Sequence, residues 1–92
     1  MFKIELLQST IDLLKEEINS IPKEYHKPFN SKHEGYAVLL EEVRELEHVV
    51  FFGEKEAKQK FLSDYQAIHK QRLKEEAVQV AAMAIRIIQE LT

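Results

Sequence analysis

Cysteine is absent from the 92-residue chain, and glycine and proline occur only twice each. Without cysteine there are neither disulfides nor thiolate ligands, so any metal site must use carboxylate, amide or imidazole groups. Tryptophan is also absent, and no apolar run approaches the roughly 20 residues that cross a bilayer. The N-terminal segment is too interrupted by charge for a signal peptide, so we expect a cytoplasmic protein with no membrane partner.

Neither sign of charge dominates the chain. Thirteen basic residues stand against sixteen acidic ones, which gives a net charge of −3 with both signs scattered along the sequence. This pattern argues against a nucleic-acid polymer as the partner. The length corresponds to one domain, residues 1–92, and a domain of this size removes only about 60–70% of its unfolded surface from water. A second subunit is therefore a plausible source of additional burial.

The scarcity of glycine and proline, beside abundant Glu, Lys, Leu, Ala and Gln, favours an all-α fold. Apolar residues at three- and four-residue steps predict helices over about residues 2–19, 32–52 and 64–91. Both prolines lie in residues 20–31, which are predicted to form an irregular loop. Ser31 and Glu34 have the pattern of a capping box at the start of the second helix, and Gly53 is expected to end that helix in the left-handed conformation.

The last predicted helix is apolar on two sides. One stripe consists of Leu73, Ala77, Val80, Ala84, Ile87 and Leu91, and the second consists of Val78, Ala82, Ile85 and Ile88. A helix with two apolar sides is buried on both, and we expect the second burial to come from another subunit. The predicted fold is thus an antiparallel bundle of three or four helices per chain, completed by homo-oligomerisation. The polar segment 51–74, with an interruption near Ser63 and Asp64, either shapes a pocket or lengthens this bundle.

Two pairs of oxygen-bearing side chains are the candidates for chemistry. Glu42 and Glu45 lie three residues apart at the border of the apolar stripe of the second helix, and Glu76 and Gln79 have the same spacing on the last helix. An antiparallel pairing of the two helices would bring all four to one seam. Oxygen ligands at this spacing suit Mg²⁺ or Mn²⁺. The competing interpretation is a solvated acidic helix face, because glutamate is common on helices.

The segments "EEVRE" and "KEEAVQ", with the capped start "SKHEGYAVLL" before them and the tail "VQVAAMAIRII" after, resemble the motifs of MazG-like all-α nucleoside triphosphate pyrophosphohydrolases. The resemblance covers about residues 31–90. It implies a helical homodimer or homotetramer that uses Mg²⁺ to cleave a nucleoside triphosphate to the monophosphate and pyrophosphate. Carried over by position, it implies Glu42, Glu45 and Glu76 as metal ligands. It also implies Glu41 as an auxiliary carboxylate that ligates a second ion or orients the attacking water, so Glu41, Glu42 and Glu45 are the predicted catalytic residues.

One position departs from the family motif, since Gln79 stands where the family has its final aspartate. A glutamine carbonyl still ligates a hard cation, but it adds no negative charge and cannot act as a base.

Phosphoryl transfer also needs cations around the phosphates. The candidates for that role are Arg44, Arg72 and Lys74, followed by Arg86 and Lys32. His33 and Tyr36, at the start of the second helix, are candidates to contact the base or ribose.

Two other functions compete with hydrolysis. Glu45 and His48 form a Glu-x-x-His pair, the unit used by di-iron carboxylate proteins built on helical bundles, and a dimer would bring two such pairs together. The second alternative is a non-catalytic helical oligomer or a nucleotide-binding relic weakened by Gln79. Base and sugar preference depend on the shape of the pocket, which the motifs do not encode.

Overall fold

The computed structural model describes residues 4–20 and 28–91, nearly all of which are helical. Within these ranges the chain forms α1 (Ile4–Ser20), α2 (Lys32–His48), a π-helical turn (Val49–Gly53), α3 (Glu54–Lys60) and α4 (Tyr65–Leu91). The described residues contain no strand, which confirms the all-α class. None of their helices combines the length and apolar composition required to span a bilayer. Most of the loop predicted over residues 20–31 lies outside the described residues.

Helix α2 begins at the predicted capping motif. Ser31 has an extended backbone (φ −158°, ψ 165°), and its Oγ accepts a hydrogen bond from the Glu34 N–H at 3.1 Å. The Glu34 carboxylate accepts hydrogen bonds from the backbone N–H of Asn30 at 3.3 Å and from its side-chain amide at 2.9 Å. The predicted cap is confirmed. In a standard capping box, the Glu34 carboxylate would accept a hydrogen bond from the backbone N–H of Ser31; here it accepts from Asn30, one residue earlier.

The prediction that Gly53 ends the second helix in the left-handed conformation is wrong. Its φ of −64° and ψ of −37° are those of a right-handed helix, and the chain continues through the π turn directly into α3. A methyl group added at Gly53 would lie 3.1 Å from His69 Nδ1 and 3.2 Å from Val49 Cγ1. The glycine is therefore explained by the close approach of α4, not by backbone freedom. The helix is interrupted later, at residues 61–64, which agrees with the interruption predicted near Ser63 and Asp64.

Helices α2 and α4 lie side by side and run in opposite directions. At one end, a methyl group added at Gly35 would meet Leu91 Cδ1 at 2.7 Å and Ile87 Cγ1 at 3.4 Å. At the other end, Gly53 adjoins His69, so the start of α2 meets the end of α4 and the π turn meets its first turns. Only glycine allows so close an approach at Gly35 without displacing a neighbour. This register places the middle of α2 against the middle of α4.

Helix α1 covers the side of α4 opposite to α2. Leu13 of α1 and Val78 of α4 line the same groove between these helices, and Ala82 is only 2% exposed. The second apolar side of α4 is therefore buried partly within the chain, whereas its apolar pattern predicted another subunit there. Ile88 of the same predicted stripe remains 64% exposed. Apart from Ala57 and Ala82, the described residues contain no apolar side chain that counts as buried.

Candidate metal centre

Three carboxylates converge where α2 crosses the middle of α4. Glu42 and Glu45 lie on adjacent turns of α2, and Glu76 comes from α4, more than thirty residues later. One oxygen from each of the three side chains lies within 4.8 Å of the others. We call these three residues the carboxylate cluster. The antiparallel register of the helices creates this cluster, because it brings together two segments that are far apart in the sequence.

Two oxygens of the carboxylate cluster are removed from water. Glu42 and Glu76 are half-buried, whereas Glu45 is exposed. Oε2 of Glu42 and Oε2 of Glu76 are both buried and have no hydrogen-bond partner among the described residues. Leaving a buried polar atom unsatisfied costs about 1–3 kcal/mol, and more if the group is charged. The cluster therefore requires either protons or a cation.

Electrostatic repulsion within the carboxylate cluster leads to the same requirement for protons or a cation. Burial raises the pKa of Glu42 above its ordinary value, and the nearby carboxylates of Glu45, Glu76 and Glu41 raise it further. Burial likewise raises the pKa of Glu76, followed by the charges of Glu45 and Glu75. At 4.8 Å, two unit charges repel by about 3.5 kcal/mol at the effective dielectric typical near a protein surface. A divalent cation bound among the carboxylates would attract each of them and so outweigh these repulsions.

The donor set of the cluster fits a hard divalent cation. Carboxylate oxygens are the preferred protein ligands of Mg²⁺, which keeps several waters and often binds through only a few carboxylates. Glu45 is exposed, so the cluster opens to solvent on that side and leaves room for waters or phosphate oxygens. The same three residues are those that the family resemblance implies as metal ligands.

Glu41 and Gln79 lie at the border of the cluster. Glu41 is exposed on α2, and its charge contributes to the raised pKa of Glu42. Gln79 is half-buried and lines a cavity of about 420 Å³ between α1 and α4, together with Glu16 and Glu17. Because Gln79 follows Glu76 by three residues, it lies about 60° round α4 from that ligand. It therefore stands between the carboxylate cluster and the cavity.

The predicted phosphate contacts lie in different surroundings. Arg72 is half-buried and precedes Glu76 by one turn, so both side chains leave the same face of α4. Lys74 lines the grooves between α1 and α4, on the other side of the helix. Arg44 and Lys32 are exposed on α2. Among these cations, Arg72 is the best placed to share an anion with the carboxylate cluster.

Arg86 already has partners within the chain. Its Nε donates a hydrogen bond to Glu90 Oε2 at 2.8 Å, and its guanidinium lies 4.2 Å from the centre of the Phe29 ring. The Phe29 N–H in turn donates to Glu90 Oε1 at 3.0 Å, which fixes the segment before α2 against the end of α4. The hydrogen bond from Arg86 lowers the pKa of Glu90. Arg86 thus stabilises the packing of the segment before α2 against the end of α4.

The remaining predicted site residues lie apart from the cluster. His33 and Tyr36 are exposed on the first turns of α2. His48 Nε2 lies 2.6 Å from Glu56 Oε1, and the His48 ring lies 5.3 Å from that of Phe52. The contact with Glu56 directs His48 toward the π turn and α3. The Glu-x-x-His pair therefore does not form a common ligand set with Glu76 in this chain.

His69 was not identified from the sequence. Its Nδ1 is buried beside Gly53 and has no hydrogen-bond partner within the described ranges. It precedes Glu76 by seven residues, or two turns, and so lies on the same face of α4. The sequence gives the seven-residue spacing of His69 and Glu76. The burial of His69 beside Gly53 depends on the π turn, which no sequence motif predicts.

Comparison with known proteins found no family model that matches the chain, and no curated protein or solved structure with significant similarity to it. The role of the carboxylate cluster must therefore be inferred from its own geometry and from the sequence motifs.

Proposed function

We propose that the chain is a Mg²⁺-dependent nucleoside triphosphate pyrophosphohydrolase, with Mn²⁺ as a possible substitute. The observation that carries the proposal is the convergence of Glu42, Glu45 and Glu76, two of whose oxygens are buried without a partner. A solvated acidic face would keep its carboxylates apart and in water. Three carboxylates gathered from two helices, with their charges partly desolvated, are typical of a cation site.

The reaction is hydrolysis of the α–β phosphoric anhydride bond, in which one water is consumed and the monophosphate and pyrophosphate are released. Bound Mg²⁺ would neutralise the triphosphate and supply ordered waters. Glu42 and Glu76 would anchor the ion, and the exposed Glu45 would complete its protein ligands at the side open to substrate. Glu41 would orient the attacking water, and Arg72 would contact phosphate oxygens. We further propose that the protein acts in the cytoplasm as a homodimer or homotetramer.

The direct test is a nucleotide panel incubated with the protein and Mg²⁺, with pyrophosphate release as the readout. We expect release from at least one ribo- or deoxyribonucleoside triphosphate, and we expect excess EDTA to abolish it. Added Mg²⁺ should then restore the activity. Absence of release from every nucleotide at high protein concentration would reject the hydrolase proposal.

Gln79 favours one alternative, a nucleotide-binding oligomer without catalytic activity. The amide adds no negative charge to the three carboxylates and accepts no proton at neutral pH. Such a protein would bind Mg²⁺ and nucleotide through the same residues without turnover. Nucleotide binding measured by calorimetry, combined with no pyrophosphate release, would identify this case.

Substitution of Gln79 by aspartate tests whether this position belongs to the metal centre. We expect Gln79→Asp to tighten Mg²⁺ binding by about 10-fold, equivalent to about 1.4 kcal/mol, because it adds a fourth charge beside Glu76. Isothermal titration calorimetry measures the change. Gln89→Asp, an exposed substitution on the same helix, is the control and should leave the affinity unaltered. Equal affinities of Gln79→Asp and the unaltered chain would show that residue 79 does not take part in metal binding.

A further inference from the structure

The cavity between α1 and α4 lies beside the carboxylate cluster and has its own chemical character. Its volume of about 420 Å³ is within the range of about 300–1000 Å³ that is usual for small-molecule sites. Its half-buried lining side chains form a floor, and its exposed ones form a rim. The floor consists of two apolar and two polar residues, namely Leu13, Val78, Glu17 and Gln79. We call this space the side cavity.

The side cavity adjoins the carboxylate cluster along α4. Two of its lining residues flank the cluster residue Glu76, since Glu75 directly precedes it and Gln79 follows it by three positions. The charge of Glu75 contributes to the raised pKa of Glu76, so the wall of the side cavity lies within electrostatic reach of the cluster. A nucleoside triphosphate with its phosphates on an ion at the cluster could therefore place its base in the side cavity.

The charges of the side cavity favour a base over a phosphate. Glu16, Glu17 and Glu75 line it, and Lys74 supplies a positive charge at the rim. Phosphate oxygens are repelled by a wall in which carboxylates outnumber cations, whereas the N–H groups of a base are attracted to it. The core of a subunit interface is instead depleted of charged residues. The side cavity therefore suits the uncharged, hydrogen-bonding end of a nucleotide.

The two polar floor residues determine which base edge fits. The carboxylate of Glu17 accepts hydrogen bonds, and the amide of Gln79 also donates them. Cytosine and adenine present an amino group, which donates, beside a ring nitrogen, which accepts. Glu17 can accept from the amino group while the Gln79 NH₂ donates to the ring nitrogen. Uracil and hypoxanthine carry an oxygen in place of the amino group, and that oxygen would face the carboxylate without a donor.

We infer that the side cavity is a base site, in which Glu17 and Gln79 select bases that carry an exocyclic amino group beside an unprotonated ring nitrogen. This inference rests on the proposed nucleotide function and adds the substrate class to it. It also gives a reason for the departure from the family motif at Gln79. An aspartate carboxylate at this position could not donate a hydrogen bond to the ring nitrogen.

Matched nucleotide pairs test the base site. CTP and UTP, and likewise ATP and ITP, differ in whether the base edge carries an amino group or an oxygen. We expect kcat/KM for pyrophosphate release to favour the amino-bearing member of at least one pair by about 10-fold or more. Glu17→Gln should remove this preference, because its amide can donate to the oxygen. Asp12→Asn, at an exposed position of α1 outside the side cavity, is the matched control and should retain the preference.

Nucleoside binding separates the base site from the hydrolase proposal. With EDTA present, millimolar cytidine or adenosine should shift the NMR signals of the Gln79 side-chain amide more than uridine or inosine does, and Glu17→Gln should abolish the difference. That result without pyrophosphate release would uphold the base site and reject the hydrolase. Release without an amino preference, or with a preference that Glu17→Gln leaves intact, would overturn the base site alone. Equal shifts and no release would overturn both.

Discussion

Glu42→Ala is expected to lower Mg²⁺-dependent pyrophosphate release by roughly 100- to 1000-fold, because this carboxylate would hold the ion that stabilises the transition-state charge. Glu42 lies at the centre of the interface between α2 and α4, and one of its oxygens lies within 4.8 Å of oxygens from both Glu45 and Glu76. Its removal would leave two carboxylates, one of them exposed, to hold the ion. Initial rates of pyrophosphate release at saturating nucleotide measure the effect.

Glu47→Ala is the matched control for Glu42→Ala. Glu47 lies on the same helix and is exposed, so its truncation removes the same charge without touching the carboxylate cluster. We expect activity close to that of the unaltered chain and a change in unfolding free energy within about 0.5 kcal/mol. Equal effects of the two substitutions would indicate a solvated acidic face. Calorimetric loss of Mg²⁺ binding in Glu42→Ala alone would support the metal centre even if turnover is too slow to measure.

The stability of the metal-free chain is expected to carry a component that falls as pH rises. The pKa of Glu42 and of Glu76 is raised above the ordinary value of 4.5, first by burial and then by neighbouring carboxylates. Folding therefore favours their protonated forms. Their contribution to stability is fully present below pH 4.5 and is lost as pH rises through the raised pKa values. Glu90 acts in the opposite direction, because its pKa is lowered and its contribution is lost as pH falls.

Glu42→Gln isolates the contribution of the carboxylate cluster from that of Glu90. Without metal, we expect the variant to melt above the unaltered chain at pH 7 and close to it at pH 4. Relief of about 1 kcal/mol of repulsion corresponds to roughly 4–8 °C in a domain of this size. Thermal unfolding followed by circular dichroism, at several pH values and with EDTA present, measures the difference.

Mg²⁺ should reverse this order at pH 7. An ion present at 100 times its dissociation constant stabilises the folded chain by about 2.7 kcal/mol. The unaltered chain should gain that stability at pH 7 and not at pH 4, because the raised pKa values of Glu42 and Glu76 favour their protonated forms in acid. Glu42→Gln should gain little at either pH. A melting temperature insensitive to both Mg²⁺ and Glu42→Gln at pH 7 would contradict the account of the cluster.

The two ends of helix α2 show why some features were predicted and others were not. The start depended on local chemistry, since a serine hydroxyl and a backbone N–H three residues away form the cap without help from the rest of the chain. The predicted end at Gly53 failed because glycine has two uses, backbone freedom and the absence of a side chain. Here the second use applies, and it depends on the position of His69 on another helix.

The candidate site likewise combines features that local spacing predicted with contacts that depend on tertiary packing. The sequence offered two pairs as candidates, Glu42 with Glu45 and Glu76 with Gln79, because three-residue spacing and a position beside an apolar stripe are properties of single helices. The i,i+4 pairing of Arg86 with Glu90 also follows from helical spacing. The contacts of Arg86 with Phe29 and of His48 with Glu56 could not be predicted in this way. Those contacts depend on the path of the chain between helices. Helical periodicity carries no information about that path.

The sequence by itself determined the helical class and the cap of α2, because each depends on composition or on spacing within one turn. It offered Glu42, Glu45 and Glu76 only as candidates, since the packing of α2 against α4 is what brings the three carboxylates together. Only the tertiary structure decided that α1 covers part of the second apolar side of α4, whereas Ile88 of that side and Val43 of α2 remain exposed. The reason is that a helical stripe shows that a side must be buried without showing what buries it. That choice depends on how the helices pack in space.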